Sequence, residues 1–462
     1  MFKKIEIWIL YLIVLIGFPL TVGFGALVRH EMLGGVGLRS INAGWISKNA
    51  LFLAEIPTNF KQIFRELEKK ELQVLQDRFP TLNKFNGAPN NKQSYLLLSK
   101  FDGDLKEGVV ELIDLTNFEV LHTWNPDINK FNNLVDKVDE FEYIDRDHNN
   151  SRSELIHPKL LKDGGLVFSQ GTPLRKIDKC SNLIFQNTHD QFHHSIETDI
   201  DGNLWVPSHM YPQTLPINKI GRNTLDNGGY NDDAIVKLSP EGKILYEKSV
   251  SQIFIDNQLE YLLFSVGDRI FDMDPIHLND IQPVDFDGKY WKKGDVFLSL
   301  RHQSMVFLYR PSTNRIIWKG TGPFFHQHDV NILDNTRISI FNNNSKVFLE
   351  NKEIVEGHNE VIIYNFETDK YSTYLSKSLE INDVRTNTSG RSKILPNGDL
   401  FVEESNFGRS LYFNSDGSLR WTHINRANNG NVYAVGWSRI LYSQDDILNV
   451  ESFLQSKSKC DD

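Results

Sequence analysis

A histidine followed a few residues later by a Gly/Asn turn into an apolar run occurs four times in this chain. The copies read His157-PKLLKDGGLVF, His194-SIETDIDGNLWV, His328-DVNILDNTRISI and, with a longer loop before Gly294-Asp295-Val296-Phe297, His277-LNDIQPVDFDG. A fifth copy, Arg391-SKILPNGDLF, has arginine at that phase. Imidazoles can attack an electrophile, pass a proton or ligate a metal. A guanidinium beside them can hold two oxygens of an anion at once. Such residues collaborate only if the repeated units bring one point of each repeat to one place.

The units that would do so are short β runs separated by turn residues from Tyr95 onward. Six can be laid out, each ending on a strand, a turn such as SPEGK, NSDGS or PSTNR, and a strand with an aromatic: Trp124, Phe185, Tyr246, Trp318, Tyr374 or Trp421. A repeat of this length made of four strands reads as a propeller blade. The sequence therefore predicts an all-β, six-bladed β-propeller, with seven blades open if residues 250–275 add strands; that stretch reads as a helix or lid. The first strand of each blade lines the central channel, so the repeated His and Arg should ring one mouth of it. His193 neighbours His194 on a strand and should point to the opposite face, as a structural residue.

Arg301 lies in FLSLRHQ, the second strand of the His277 unit. With no obvious carboxylate mate it suits an oxyanion ligand; a salt bridge to Asp274 or Asp329 is the other reading. His157, which precedes a proline, His302, Asn342 in the Asn342–Asn344 run, and Arg391 are further candidates for holding substrate.

The N-terminus carries a membrane signal. Lys3 and Lys4 precede Ile7 to Val28, which has no charge and would span about 33 Å as a helix. Its length favours an uncleaved anchor over a cleaved signal peptide, and the positive end stays cytoplasmic. That gives a single-pass inner-membrane protein with its propeller in the periplasm. The expected domains are the membrane helix 1–30, a helical stalk and linker 31–93, the propeller 94–445 and a polar tail 446–462. The net charge of −10 argues against nucleic acid. Cys180 and Cys460 could pair on the exported side, although Cys460 sits in SKSKCDD, read as a mobile tail.

The segments HHSIETDIDGNLWVPSH, DPIHLNDIQPV, FLSLRHQSMVFLY with NRIIWK, QHDVNILDN with FNNN, and ILPNGDLFVEES resemble the bacterial 3′-phosphoadenosine-independent arylsulfotransferases. The resemblance implies a six-bladed periplasmic propeller that moves a sulfuryl group from an aryl sulfate to a phenol without nucleotide or other cofactor. It implies His328 as the nucleophile that becomes sulfurylated, with His194, His277 and Arg301 holding the sulfuryl oxygens. Partners would be the two small molecules and the bilayer, with a homodimer left open. Two other readings stand beside it: a propeller enzyme (lyase or oxidase) whose channel histidines bind a metal, and a non-catalytic membrane-tethered adaptor.

Overall fold

The computed structural model describes residues 6–32, 44–67, 73–136, 138–215, 230–265, 272–347, 353–455 and 460. The chain divides into two compact units, one of residues 1–72 with 220–228 and one of 73–219 with 229–462. In the first unit, the helix Ile7–Met32 is long and apolar enough to cross a membrane. Its apolar side chains are exposed along most of its length, as lipid-facing residues would be. A second helix, Gly44–Leu67, follows, and Ser47 Oγ donates to Glu31 Oε2 at 2.6 Å between the two.

The second unit is all-β and propeller-like, with a few short helices. Its units follow from turn chemistry and from a graded strand pattern. Inner strands such as Val296–Leu300 are buried throughout, whereas the outermost strand of that sheet, Arg315–Gly320, alternates between exposed and half-buried positions until the buried Gly320. The sheet Leu278–Pro283, Val296–Leu300, Met305–Arg310 and Arg315–Gly320 is an antiparallel meander in chain order. The next sheet, His328–Ile332, Arg337–Asn342, Glu360–Asn365 and Lys370–Tyr374, carries an inserted hairpin, Ser345–Val347 with Glu353–Val355. Between these two sheets lies a core of Trp291, Phe297, Val306, Leu308, Phe324, Ile338, Ile340 and Tyr364. Residues 156–249 form one eight-stranded sheet, in which two meanders meet where Phe192 pairs with Ser208 and Gln191 with His209.

The ends of the chain are built into the sheets, and here the structure departs from the expected boundaries. The first β sheet takes its innermost strand, Arg439–Leu441, from the far end of the chain, with Arg439 opposite Leu97. Lys84–Gly87 adds a fifth, outer strand to the sheet of residues 391–424. The linker expected up to residue 93 therefore belongs to the β unit from Gln73 onward. The Gly/Pro/Asn stretch reads as a linker but serves as a receptor: Pro89 O and Asn91 Oδ1 accept from Arg420, and Asn90 Oδ1 accepts from the Trp421 indole at 3.0 Å.

The C-terminal segment is likewise not a free tail. Gln444–Gln455 is a helix whose Val450 and Phe453 are buried, with Phe453 stacked on Trp124 at 5.6 Å between ring centroids. Beyond it, Cys460 is disulfide-bonded to Cys180. Residues 250–275 supply two short helices, Val250–Asp256 and Tyr261–Phe264, and no strand among the described residues.

Candidate functional site

Side chains at the entry of each innermost strand meet their neighbours across the sheets. The Ile196 amide donates to His157 Nδ1 at 3.1 Å, Ile281 to Ser195 Oγ at 3.1 Å, Val330 to Asp280 Oδ2 at 2.7 Å and Ser392 to Asp329 Oδ2 at 3.0 Å. These bonds tie strand to strand around the channel. They also put His157, Ser195, Asp280, Asp329 and Arg391 at one structural position. His194 and His328 each fall one residue earlier, and His277 three residues earlier. The five side chains grouped by their distance to a turn thus divide into two layers.

The deeper layer holds His157 and Arg391. Arg391 contacts His157 Nε2 and donates to Asp329 Oδ1 at 3.1 Å. Arg439, on the closing strand, donates to both oxygens of Glu197, at 3.1 and 3.2 Å. Burial, with the charges of Arg439 and Arg391, holds His157 well below the usual imidazole range. This buried ionic network braces the channel.

The other layer brings three of the predicted imidazoles together. Ring centroids lie 5.1 Å apart for His194 and His277 and 6.4 Å apart for His194 and His328. Trp437 packs edge-on against both His194 and His328, at 5.9 and 5.7 Å. His157, His194, His277 and Trp437 have left-handed φ values between 46° and 60°. Such residues cost about 1–3 kcal/mol each and persist where the surroundings over-determine them.

His328 is fully buried. Its Nδ1 lies 2.6 Å from Asn343 Oδ1, while Asn343 Nδ2 donates to Thr386 O at 3.0 Å and Ser389 O at 2.9 Å. With both amide hydrogens used on carbonyls, the Asn343 oxygen must face the ring and accept, so the proton sits on Nδ1. His328 Nε2 then carries a lone pair and has no hydrogen-bond partner of good geometry among the described residues; the His326 backbone faces the ring without meeting that geometry. Burial pushes the imidazole down to about 3, with the Arg301 charge adding to the effect. Gln327, fully buried, anchors this strand entry by donating to Ser299 Oγ, Leu300 O and Met305 O.

His277 Nδ1 lies 2.6 Å from Asp274 Oδ2. Burial alone would raise the Asp274 carboxyl, but the bond to His277 and the charges of His277 and His302 hold it at about 2. His194 is held well below its ordinary value by burial and by neighbouring imidazoles. Its Nδ1 faces His193 Nδ1 at 2.7 Å, so His193, although off the channel, fixes the ring beside it.

Arg301 has a carboxylate mate, from neither Asp274 nor Asp329: Glu353, on the inserted hairpin, accepts from its NH2. His302 donates through Nδ1 to Asp274 O at 2.6 Å, leaving Nε2 to accept from Arg301 NH1 at 2.8 Å. Both terminal nitrogens are thereby aimed, and the buried Nε has no partner among the described residues. His302 positions Arg301. Asn342 is turned into its own loop, accepting from the Phe325 and Asn344 amides at 2.9 Å each. The residue of that run which reaches a channel imidazole is Asn343.

Sequence reasoning did not single out Asn343, Asp274, Glu353 or Trp437 as site residues. Asp274 had a local signal, three residues before His277. Trp437 had none, since the closing strand has no turn after it.

Comparison with known proteins gives little at the level of whole structures. A Bacteroides caccae protein of unknown function is 12% identical and superposes with a TM-score of 0.46, covering 76% of this chain and 100% of its own. A streptogramin B lyase gives 9% identity, a TM-score of 0.37 and coverage of 77% and 96%. The WD40 β-propeller domain of Doa1 gives 11%, 0.36, and 82% and 96%. No curated protein matches the chain. Residues 157–426, which carry every one of the channel imidazoles, match the family described as Arylsulfotransferase (ASST), and the chain belongs to that family.

Proposed function

We propose that this protein is a nucleotide-independent aryl-sulfate sulfotransferase working through a sulfohistidine at His328. The observation that carries the reading is the fixed His328 tautomer, with a buried Nε2 that no described residue bonds in good geometry, beside the His194 imidazole. Buried nitrogen lone pairs are rarely left without a partner. One held neutral and aimed is what a nucleophile requires.

In the first half-reaction the His328 Nε2 lone pair attacks sulfur in line, and the bond from sulfur to the aryl oxygen breaks. The departing oxygen takes a proton from His277, whose ring Asp274 holds in place. His194 and Arg301 face the sulfuryl oxygens and offset their charge, each such donor being worth about 10²–10³ in rate. In the second half, a phenol oxygen attacks the same sulfur and gives its proton to His277. The nitrogen–sulfur bond then breaks and neutral His328 returns. The kinetics are ping-pong.

Counting the eight-stranded sheet as two blades, joined at the Phe192–Ser208 pair, gives a ring of six. The apolar N-terminal helix and a disulfide, a bond that is rare in reducing compartments, support a periplasmic domain held at the inner membrane. The test is release of 4-nitrophenol from 4-nitrophenyl sulfate in the presence of phenol, abolished in His328→Ala.

A further inference from the structure

Three strand ends converge behind His194. His209 closes the strand Leu204–His209 and stands directly opposite Asp233, the first residue of Asp233–Leu238. His193 follows the strand Leu183–Phe192, whose last residue pairs with Ser208. The pairing register therefore gathers two imidazoles and a carboxylate, and their ligand atoms all lie within 4.8 Å of one another. His193 Nε2 is 3.3 Å and His209 Nε2 3.7 Å from Asp233 Oδ1.

Asp233 is completely buried, and among the described residues neither carboxylate oxygen has a hydrogen-bond partner of good geometry; nor does His193 Nε2. The Leu278 amide and the Ser208 carbonyl face the group without meeting that geometry. A buried carboxylate that two imidazoles approach without a hydrogen bond of good geometry is costly and calls for a partner. The neighbouring trio Asp274, His277 and His302 differs, because its members are already hydrogen-bonded at 2.6 Å.

We propose that His193, His209 and Asp233 bind a divalent first-row metal ion such as zinc or cobalt. Two imidazole nitrogens and one carboxylate oxygen are a donor set these ions favour. Bonds of about 2.0–2.1 Å at tetrahedral angles put donors about 3.3–3.4 Å apart, so the observed separations to Asp233 need little closure. His209 is partly exposed, which leaves an entry path for the ion.

The site has a consequence for the channel. A metal on His193 Nε2 requires the proton on His193 Nδ1, which then donates to His194 Nδ1 at 2.7 Å. His194 is thereby left with its proton on Nε2. The ion would set the tautomer of a channel imidazole without touching the reacting atoms.

The test uses the untagged full-length protein in detergent, stripped with chelator and titrated with Co²⁺ alone. Uptake of one equivalent with visible d–d absorption is expected, weakened more than about 100-fold in His209→Ala and Asp233→Asn, since even outer partners of metal ligands are worth about 10–100-fold. His302→Ala should keep the equivalent. X-ray absorption of the wild-type cobalt form, which does not depend on any variant folding, should report two imidazoles and one carboxylate. No stoichiometric uptake, uptake surviving both His209→Ala and Asp233→Asn, or a ligand set without two imidazoles would overturn the site. None of these outcomes bears on whether sulfuryl transfer occurs.

Discussion

Asn343 Oδ1 accepts a hydrogen bond from His328 Nδ1 at 2.6 Å, and the Asn343 amide cannot turn because its hydrogens hold the Thr386 and Ser389 carbonyls. A side chain without charge thus decides which nitrogen of His328 is free. Asn343→Ala should lower kcat about 10- to 100-fold, the usual cost of losing a partner that orients a working imidazole. KM for the donor should barely move. A fall in kcat/KM arising wholly from KM would place Asn343 in binding instead.

Arg301 is aimed by two neighbours on different elements, Glu353 and His302. Arg301→Ala should cost about 10²–10³ in turnover. His302→Phe, which removes the acceptor for NH1 and the bond to Asp274 O but leaves the guanidinium, should cost less and appear mainly as a raised KM for the sulfate donor. Steady-state kinetics of both variants check the order; equal losses would mean that His302 itself touches substrate.

Acid should destabilise the fold through its neutral histidines. Burial holds His328, His193 and His423 at about 3, against about 6.5 in an unfolded chain. Between those values the unfolded chain binds protons that the folded one refuses. Stability therefore rises with pH across the window, is complete above about 6.5, and falls as pH drops toward 3. His423 lies outside the site, so His423→Phe should shrink the loss of melting temperature between pH 7 and pH 4 by roughly 2 °C or more. Thermal melts over a pH series read this directly, and an unchanged slope would contradict it.

The disulfide links residues 280 apart, and Cys460 lies C-terminal to the helix that carries Phe453 onto Trp124. Cross-links closing long loops stabilise by about 4–5 kcal/mol in the chain-entropy account. Cys180→Ser should lower the melting temperature and loosen residues 444–455, seen as faster amide exchange there. Protection identical to wild type would show that the helix docks unaided.

Much of this was legible in the sequence because hairpin turns declare themselves through Gly, Asn and Asp. Strands such as Val296–Leu300 and Leu400–Glu404 lie where their turns put them. The layering of the channel was hidden. Register shifts fall between Leu278 and Asp280, His328 and Val330, and Ile156 and Lys159, at the entries of the innermost strands. Each extra residue re-aims the side chains before it, so distance to a turn does not fix depth. His157 and Arg391 share a phase with His194 and His328 but sit in the ionic layer, and the strand of Arg391, unlike that of His328, has no register shift. Contacts made across the whole chain left no local trace either. Arg439 pairs opposite Leu97, and Lys84 opposite Ile424. Glu353 finds Arg301 only because a hairpin is inserted between strands.

The most direct measurement is peptide mass mapping of the purified protein after exposure to 4-nitrophenyl sulfate with no acceptor present. The account predicts one added sulfuryl group on the peptide that contains His328, removed when phenol is supplied. Turnover without any such adduct, or an adduct on another residue, would contradict it.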